Sequence, residues 1–250
     1  MQVSKQLLTI QSTSVRLPPH FAMSGTPSRK AAARPARKAG PATGARQRKS
    51  GADRRDEIAH AVLRIAGEHG MPALTTAALA HEVGVTTGAL FRHFPTLDDM
   101  LRAAVDHAVR QIEATFPGAD LPPMDRLIQL GRNRVRTIGS DRGLSWLLRS
   151  EQAWLSLPDD SVEKLRALVR RSRAFLLAAI TDGAGSGAIR SDIKPELLLI
   201  TVMGTIHALM GMPGLQGRST AGLARADDAL AALAQLLSPL APARRTRPKR

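Results

Sequence analysis

The sequence predicts an all-α protein of about nine helices, a small three-helix unit followed by a larger helical one. Apolar residues recur at helical spacing, and β-alternation persists nowhere. Apolar residues make up 43% of the chain but aromatics only 3%, with no Tyr, so Leu and Ala, both good helix formers, must fill the interior. Capping residues and helix stops fall where the periodic segments begin and end.

The first helix follows from the stripe Ile58, Ala61, Val62, Ile65 and Ala66, with Gly70 as its stop. A second runs from about Thr76 to Val83 and a third from about Thr87 to Phe94. Thr96 caps a fourth, with Asp99 as the other half of a capping box. That helix carries Met100, Leu101, Ala104, Val105, Ala108 and Ile112 and ends before Pro117-Gly118. Further helices are expected over about 123–139, 141–155, 160–182, 194–211 and 222–238. Asp160 and Glu163 read as another capping box, Pro195 occupies a favoured first-turn position, and "GAGSGAIRSDIKP" reads as the loop before it.

The segment "LTTAALAHEVGVTTGALFRHFP", Leu74 to Pro95, is the most informative. Thr75 or Thr76 caps the second helix through its hydroxyl. Leu79 and Val83 face inward, and Ala80 is small enough to admit the next helix. Gly84 supplies a left-handed turn. Val85 fills the corner, Thr86 caps the third helix, and Leu90 and Phe94 anchor it. Two short helices joined by a tight Gly turn form a helix-turn-helix, which presents the outer face of its second helix to a DNA major groove. By periodicity alone, an ordinary helical hairpin in a bundle remains the alternative.

Charge is unevenly placed. Residues 1–52 hold ten Lys or Arg and no acid, and Arg244 to Arg250 hold five more, which together account for the whole net charge of +15. The remaining 21 basic residues balance 21 acidic ones. The chain therefore reads as a neutral globule with two basic arms. Such arms either attract phosphates without reading sequence or serve as solubilising tails. Ser24 to Gly51 lacks any apolar period and reads as disordered. The first 22 residues contain only the short apolar run "LLTI", too short for a signal-peptide core, and "MSGTPSRK" at Met23 reads as an alternative start. No run approaches the ~18 apolar residues of a membrane span. A cytoplasmic, nucleoid-associated protein is expected.

The residues from Arg54 to Leu101 resemble the N-terminal domain of the TetR family of bacterial transcriptional regulators. The resemblance rests on Ile58-Ala59-His60-Ala61-Val62-Leu63 and then "GMPALTTAALAHEVGVTTGALFRHFPTLDDML", and covers about a fifth of the chain. It implies four segments: a basic arm (1–52), a DNA-binding domain (53–97), a regulatory and dimerisation domain (98–240) and a basic tail (241–250). It implies a double-stranded DNA operator as partner, a homodimer, and release by an unidentified small-molecule inducer. The alternative is a C-terminal half that binds a protein partner instead.

Thr87, Gly88 and Ala89 are then expected near base edges, where Thr or Ala methyls suit thymine. Arg92 is the one long donor on that face, able to take guanine or a phosphate. His93 resembles the family's phosphate-contacting His. Thr75, Thr76, Ala77 and Thr86 lie at helix starts whose free amides can hold phosphates. The chain departs from the family at Phe91, where Tyr is usual, and at Leu97, where Lys is usual. Both lost donors contact phosphate in the family, and Arg46, Arg48 and Lys49 of the arm are expected to replace them.

In the larger half the resemblance implies late helices that pair between subunits, with Leu197, Ile200, Met203, Gly204, His207, Ala208, Leu230 and Leu233 as candidates. Otherwise both helices belong to the subunit core. His107, Met124, Leu127, Trp146, Leu147, Trp154 and Phe175 are the ligand-pocket candidates, although buried Trp residues are commonly just core. The Arg132, Arg134, Arg136 series alternates around its helix, and Arg170, Arg171 and Arg173 read as solvated. Without Cys there is no disulfide, thiolate zinc site or cysteine nucleophile, and neither HExxH nor Gly-x-Ser-x-Gly occurs. Paired acids such as Asp98-Asp99 and Asp159-Asp160 fall at helix starts, where capping accounts for them. No catalysis, metal or cofactor is expected.

Deleting residues 1–50 is expected to weaken specific and non-specific DNA binding together. It should flatten the slope of log affinity against log salt by roughly two units or more per dimer, at about 0.9 per neutralised phosphate. Restoring Phe91→Tyr and Leu97→Lys in the truncated chain should recover part of the loss. Unchanged affinity and slope would make the arm a solubilising tail only.

Overall fold

The computed structural model describes residues 50–212 and 217–240; Arg46, Arg48, Lys49, the alternative start and the basic C-terminal tail lie outside the described residues. Among the described residues there are ten α-helices, one 3-10 turn and no strand.

Helix α1 (Gly51–His69) begins two residues inside the segment expected to be a disordered arm. Ser50 is the reason. Its hydroxyl accepts from the Asp53 amide at 3.1 Å, and the Asp53 carboxylate accepts from the Ser50 amide at 3.2 Å, a complete capping box. A truncation meant to leave the fold intact must therefore stop at Lys49, because removing Ser50 costs roughly 1 kcal/mol of capping. The expected stripe on α1 is buried, but Ala59 and Leu63 are buried with it. The helix buries more than one face because its principal partners, α4 (Leu97–Glu113) and α6 (Arg142–Arg149), come in addition to the two helices that follow it.

The second contact is unusually close. A methyl at Gly143 would lie 2.6 Å from the Leu63 backbone carbonyl, and one at Gly67 would lie 2.7 Å from the Arg142 backbone. The two helices touch backbone to backbone, with no side chain between them. Between α1 and α4 come the Met71–Ala73 turn, α2 (Thr76–Val83) and α3 (Thr87–His93). Thr96 and Asp99 close the expected capping box of α4.

The rest is built around α5 (Pro123–Thr137), α8 (Asp159–Ser186), α9 (Pro195–Gly211) and α10 (Thr220–Leu237). Helix α5 packs on α8, α9 and α10, and α8 packs on α4 and α9. Leu127, Leu130, Leu165, Leu168, Leu176, Val202, Ile206 and Leu230 form the core between them.

Three expectations change. The helix expected over 141–155 breaks at Ser150 into α6 and α7 (Glu151–Leu155). Ser150 takes an extended backbone, its hydroxyl caps α7 by accepting from the Ala153 amide at 3.2 Å, and the Trp154 indole donates to the Leu147 carbonyl at 2.9 Å. A side-chain cap and an indole thus replace the backbone ladder. Helix α8 starts after Pro158 with no side-chain cap, so Asp160 and Glu163 do not form a capping box. Asp160 instead accepts from Arg102 on α4, and Glu163 pairs with Arg166 and Arg170. The same helix runs on through Gly183 and Gly185 to Ser186, where Gly187 at φ 75° ends it; the expected loop begins four residues later than anticipated. Among the described residues no helix is long and apolar enough to cross a membrane.

Gly143→Ala is expected to destabilise the protein by about 1–3 kcal/mol, because backbone atoms cannot yield to an added methyl as a side-chain tip can. Gly185→Ala, with open space around it, should stabilise by up to about 1 kcal/mol. Urea unfolding of both variants checks the contrast.

Candidate nucleic-acid interface

Helix α2 is started by Thr75, whose hydroxyl accepts from the Ala78 amide at 3.1 Å. It is stopped by Gly84, whose φ of 71° and ψ of 40° place it in the left-handed region. The Val85 amide donates back to the Ala80 carbonyl at 2.9 Å, which tightens the corner. Thr86 then starts α3, accepting from the Ala89 amide at 3.2 Å. Leu79, Ala80, Val83, Leu90 and Phe94 are buried in the core, and both helices pack on α1. The Arg55 guanidinium stacks on the Phe94 ring at 4.9 Å, and Arg64 pairs with Glu82 to tie α1 to α2.

This anchoring leaves one face of α3 in solvent. Thr87, Gly88, Phe91 and Arg92 are exposed along a single strip, and Phe91, at 42% exposure, is a large ring with no packing reason to be there. Thr75, Ala77 and Thr86 are also exposed; Thr76, Ala89 and His93 are half-buried. The turn therefore gathers these ten positions onto two consecutive helices and the corner between them. Leu97, at the first position of α4, is half-buried and packs on the core. The apolar residue has a packing role where the family usually carries Lys.

The pocket candidates are not gathered. His107 sits in the α1–α4 seam, its ring 5.9 Å from that of His60 and its Nδ1 3.9 Å from Asp56. Burial holds its pKa below the usual histidine value, with Asp56 working the other way. Leu127 and Leu147 are core residues, and Met124 packs on the core. Trp146 lines an open groove with Arg142, Arg149 and Arg218, Trp154 is spent on the α6–α7 break, and Phe175 packs edge-on against Phe116 at 5.2 Å. Among the described residues they lie at separate places in the fold.

The dimer candidates divide by helical phase. On α9, Leu197 and Ile200 are 55% and 65% exposed, Gly204 and His207 are exposed, and Met203 and Ala208 are half-buried. On α10, Leu230 and Leu233 are core residues, with Leu230 lying over Gly131 of α5. They have no surface left to lend a second subunit. The face of α10 that is free lies opposite, at Ala231, Ala232 and Leu236.

One residue of this half escaped the sequence reading. Arg134 lies in register with Leu127, Leu130 and Ile138, on the apolar stripe of α5, and is buried. The signal was its spacing from those leucines, rather than its place in an alternating Arg series.

The model of the family "Bacterial regulatory proteins, tetR family" matches residues 58–104. Nucleoid occlusion factor SlmA of Marinobacter nauticus is 40% identical over 151 residues, covering 57% of this chain and 72% of the relative. The same factor of Haemophilus influenzae is 33% identical over 87 residues, and there the match spans only 35% of the relative's length. Among solved structures, the ketosteroid transcriptional regulator KstR2 of Mycobacterium tuberculosis superposes with a TM-score of 0.63 at 18% identity, over 74% of this chain and 95% of its own. AibR, solved in complex with isovaleryl coenzyme A and operator DNA, does so with a TM-score of 0.60 at 17% identity, over 74% and 97%. At these identities the likeness is one of fold.

Gly84→Ala is expected to cost about 1–2 kcal/mol, the usual penalty for a side chain held in the left-handed region. Thermal unfolding measures it. DNA affinity should fall as well, because a relaxed turn re-aims α3.

Proposed function

This chain belongs to the tetR family of bacterial regulatory proteins, non-enzymatic DNA-binding regulators, and from that premise we propose that it is a homodimeric repressor of a pseudo-palindromic operator, released by a small-molecule ligand. The observation that carries the reading is the strip Thr87, Gly88, Phe91 and Arg92, exposed on a helix whose opposite side is pinned by buried Leu90. A helix so held has one face to offer a major groove. Thr87, Gly88 and Ala89 reach base edges, Arg92 takes a guanine, and His93 holds a phosphate. The start of α2 at Thr75, Thr76 and Ala77, with Thr86, takes phosphates through backbone amides. Arg46, Arg48 and Lys49 add contacts from the arm.

Residues 53–97 are the reading head and 98–240 the regulatory body. The exposed face of α9, Leu197, Ile200, Gly204 and His207, pairs with its counterpart in a second copy. Leu236 of α10 stands where Leu230 and Leu233 were expected. A cytoplasmic, nucleoid-bound location follows from the DNA partner. AibR, with acyl coenzyme A and operator DNA in one complex, supports a ligand reading by showing that this fold accommodates both. A second reading has its own support. The Marinobacter relative is a nucleoid occlusion factor, which favours a body that engages a protein partner while the heads hold DNA.

Arg92→Ala is expected to cost about 1–3 kcal/mol on the selected duplex and to relax preference at one position of each half-site. Competition binding against single-base variants checks this. An equal loss on random DNA would make Arg92 a phosphate contact and remove it from sequence reading.

A further inference from the structure

The arginines of helix α5 meet different fates. Arg126 takes Asp182 at 2.6 Å, and Arg132 takes Asp227 at 2.7 Å. Arg134 takes no carboxylate among the described residues, yet it is the buried one, with 7% of its surface exposed. One of its terminal nitrogens donates to the Ser172 hydroxyl at 2.6 Å, and that hydroxyl in turn donates to the Leu168 carbonyl at 2.9 Å. Its Nε finds no acceptor. The guanidinium lies over the Phe116 ring at 5.4 Å. Burial pushes its pKa down to about 10, so it remains charged at neutral pH.

A buried cation without a counter-charge is costly, and a Leu or Met at this position would continue the apolar stripe at no such cost. The charge must therefore serve something beyond packing. Beside it is a cavity of about 60 Å³. Its polar lining is Arg134, Ser172 and His207, with no acid; Leu168, Met203 and Met210 are among its apolar walls. That volume exceeds the ~10–15 Å³ that a single water requires, so the cavity admits a group of carboxylate size. Val169 and His207, both exposed, mark its mouth.

We propose that Arg134 anchors the ligand of this protein, and that the ligand is a short-chain aliphatic monocarboxylate, its carboxylate held by the guanidinium and its alkyl tail directed past Met203 to the mouth at Val169 and His207. The proposal rests on the ligand reading above and names its chemical class. A carboxylate matches the planar guanidinium fork, whereas a single cation leaves part of a doubly charged phosphate uncompensated. An apolar tail matches the walls. His207 lies on the α9 face proposed to pair with a second subunit, so a tail at the mouth touches the element whose position sets the spacing of the two heads.

The test is calorimetric titration of the full-length protein, without DNA, with butyrate, hexanoate, hexanamide and inorganic phosphate. Hexanoate is expected to bind and to raise the unfolding temperature, with hexanamide and phosphate at least tenfold weaker. Arg134→Met should lose hexanoate binding while unfolding at the same temperature as the parent or higher, since it removes an uncompensated charge. Arg134→Lys keeps the charge without the fork and should bind about tenfold more weakly; it carries the test if the Met variant does not fold. No binding of either carboxylate, equal binding of hexanamide or phosphate, or parental hexanoate binding by Arg134→Lys would overturn the proposal. A second titration on the DNA complex separates the two readings. Hexanoate that binds without altering DNA affinity supports the site and sinks ligand-driven release, while failure to bind sinks the site however the protein behaves on DNA.

Discussion

The rest of the structure depends on the close approach of α1 and α6. Gly67 and Gly143 let two helix backbones meet where any side chain would hold them apart. Helix α1 is the element on which α2 and α3 are built, and α6 belongs to the larger half. The contact admits little sliding, because moving the helices along each other brings atoms larger than a glycine hydrogen against the Leu63 and Arg142 backbones, which face Gly143 and Gly67. It therefore works as a rigid joint.

The second organising feature is the register of α4 against α8. Arg102 meets Asp160, Asp106 meets Lys164 and Glu113 meets Arg171, each pair separated by 58 residues. A constant offset in one direction means that the two helices run parallel, held in step along three turns. Exposed pairs of this kind contribute little stability singly. Their effect is on register, since a slip of one turn would set like charges opposite each other. Beneath them the apolar residues Ile112 and Leu168 do the packing. Surface charge aligns, apolar area stabilises, and Arg134, the one buried charge among the described residues, is therefore conspicuous.

Much of this was legible in the residues, wherever the cause is local. The caps at Thr86 and Thr96 and the left-handed Gly84 each depend on neighbours within four positions and are readable from them, while the α2 cap is narrowed to Thr75 or Thr76 and Leu90 follows from apolar spacing, its burial completed by α1. What escaped depends on distant partners. The second buried face of α1 exists because α6 packs there from eighty residues away. The break at Ser150 is decided by where the Trp154 indole finds an acceptor. The proposed contacts of α10 went to Leu230 and Leu233 on apolarity, whereas the phase set by α5 turns those residues inward and Leu236 outward. Arg134 was read as one of an alternating series because its burial is a property of Ser172 and Phe116, elements that the sequence does not bring beside it.

The most direct test of the account is sedimentation of the full-length protein alone and with a duplex selected from random sequence, combined with footprinting of that duplex. Two chains per duplex, protecting two inverted half-sites about one helical turn apart or a modest multiple of it, is the expected result. A protein that is monomeric in solution and on DNA, or that protects one uninterrupted half-site, would contradict the paired-head account.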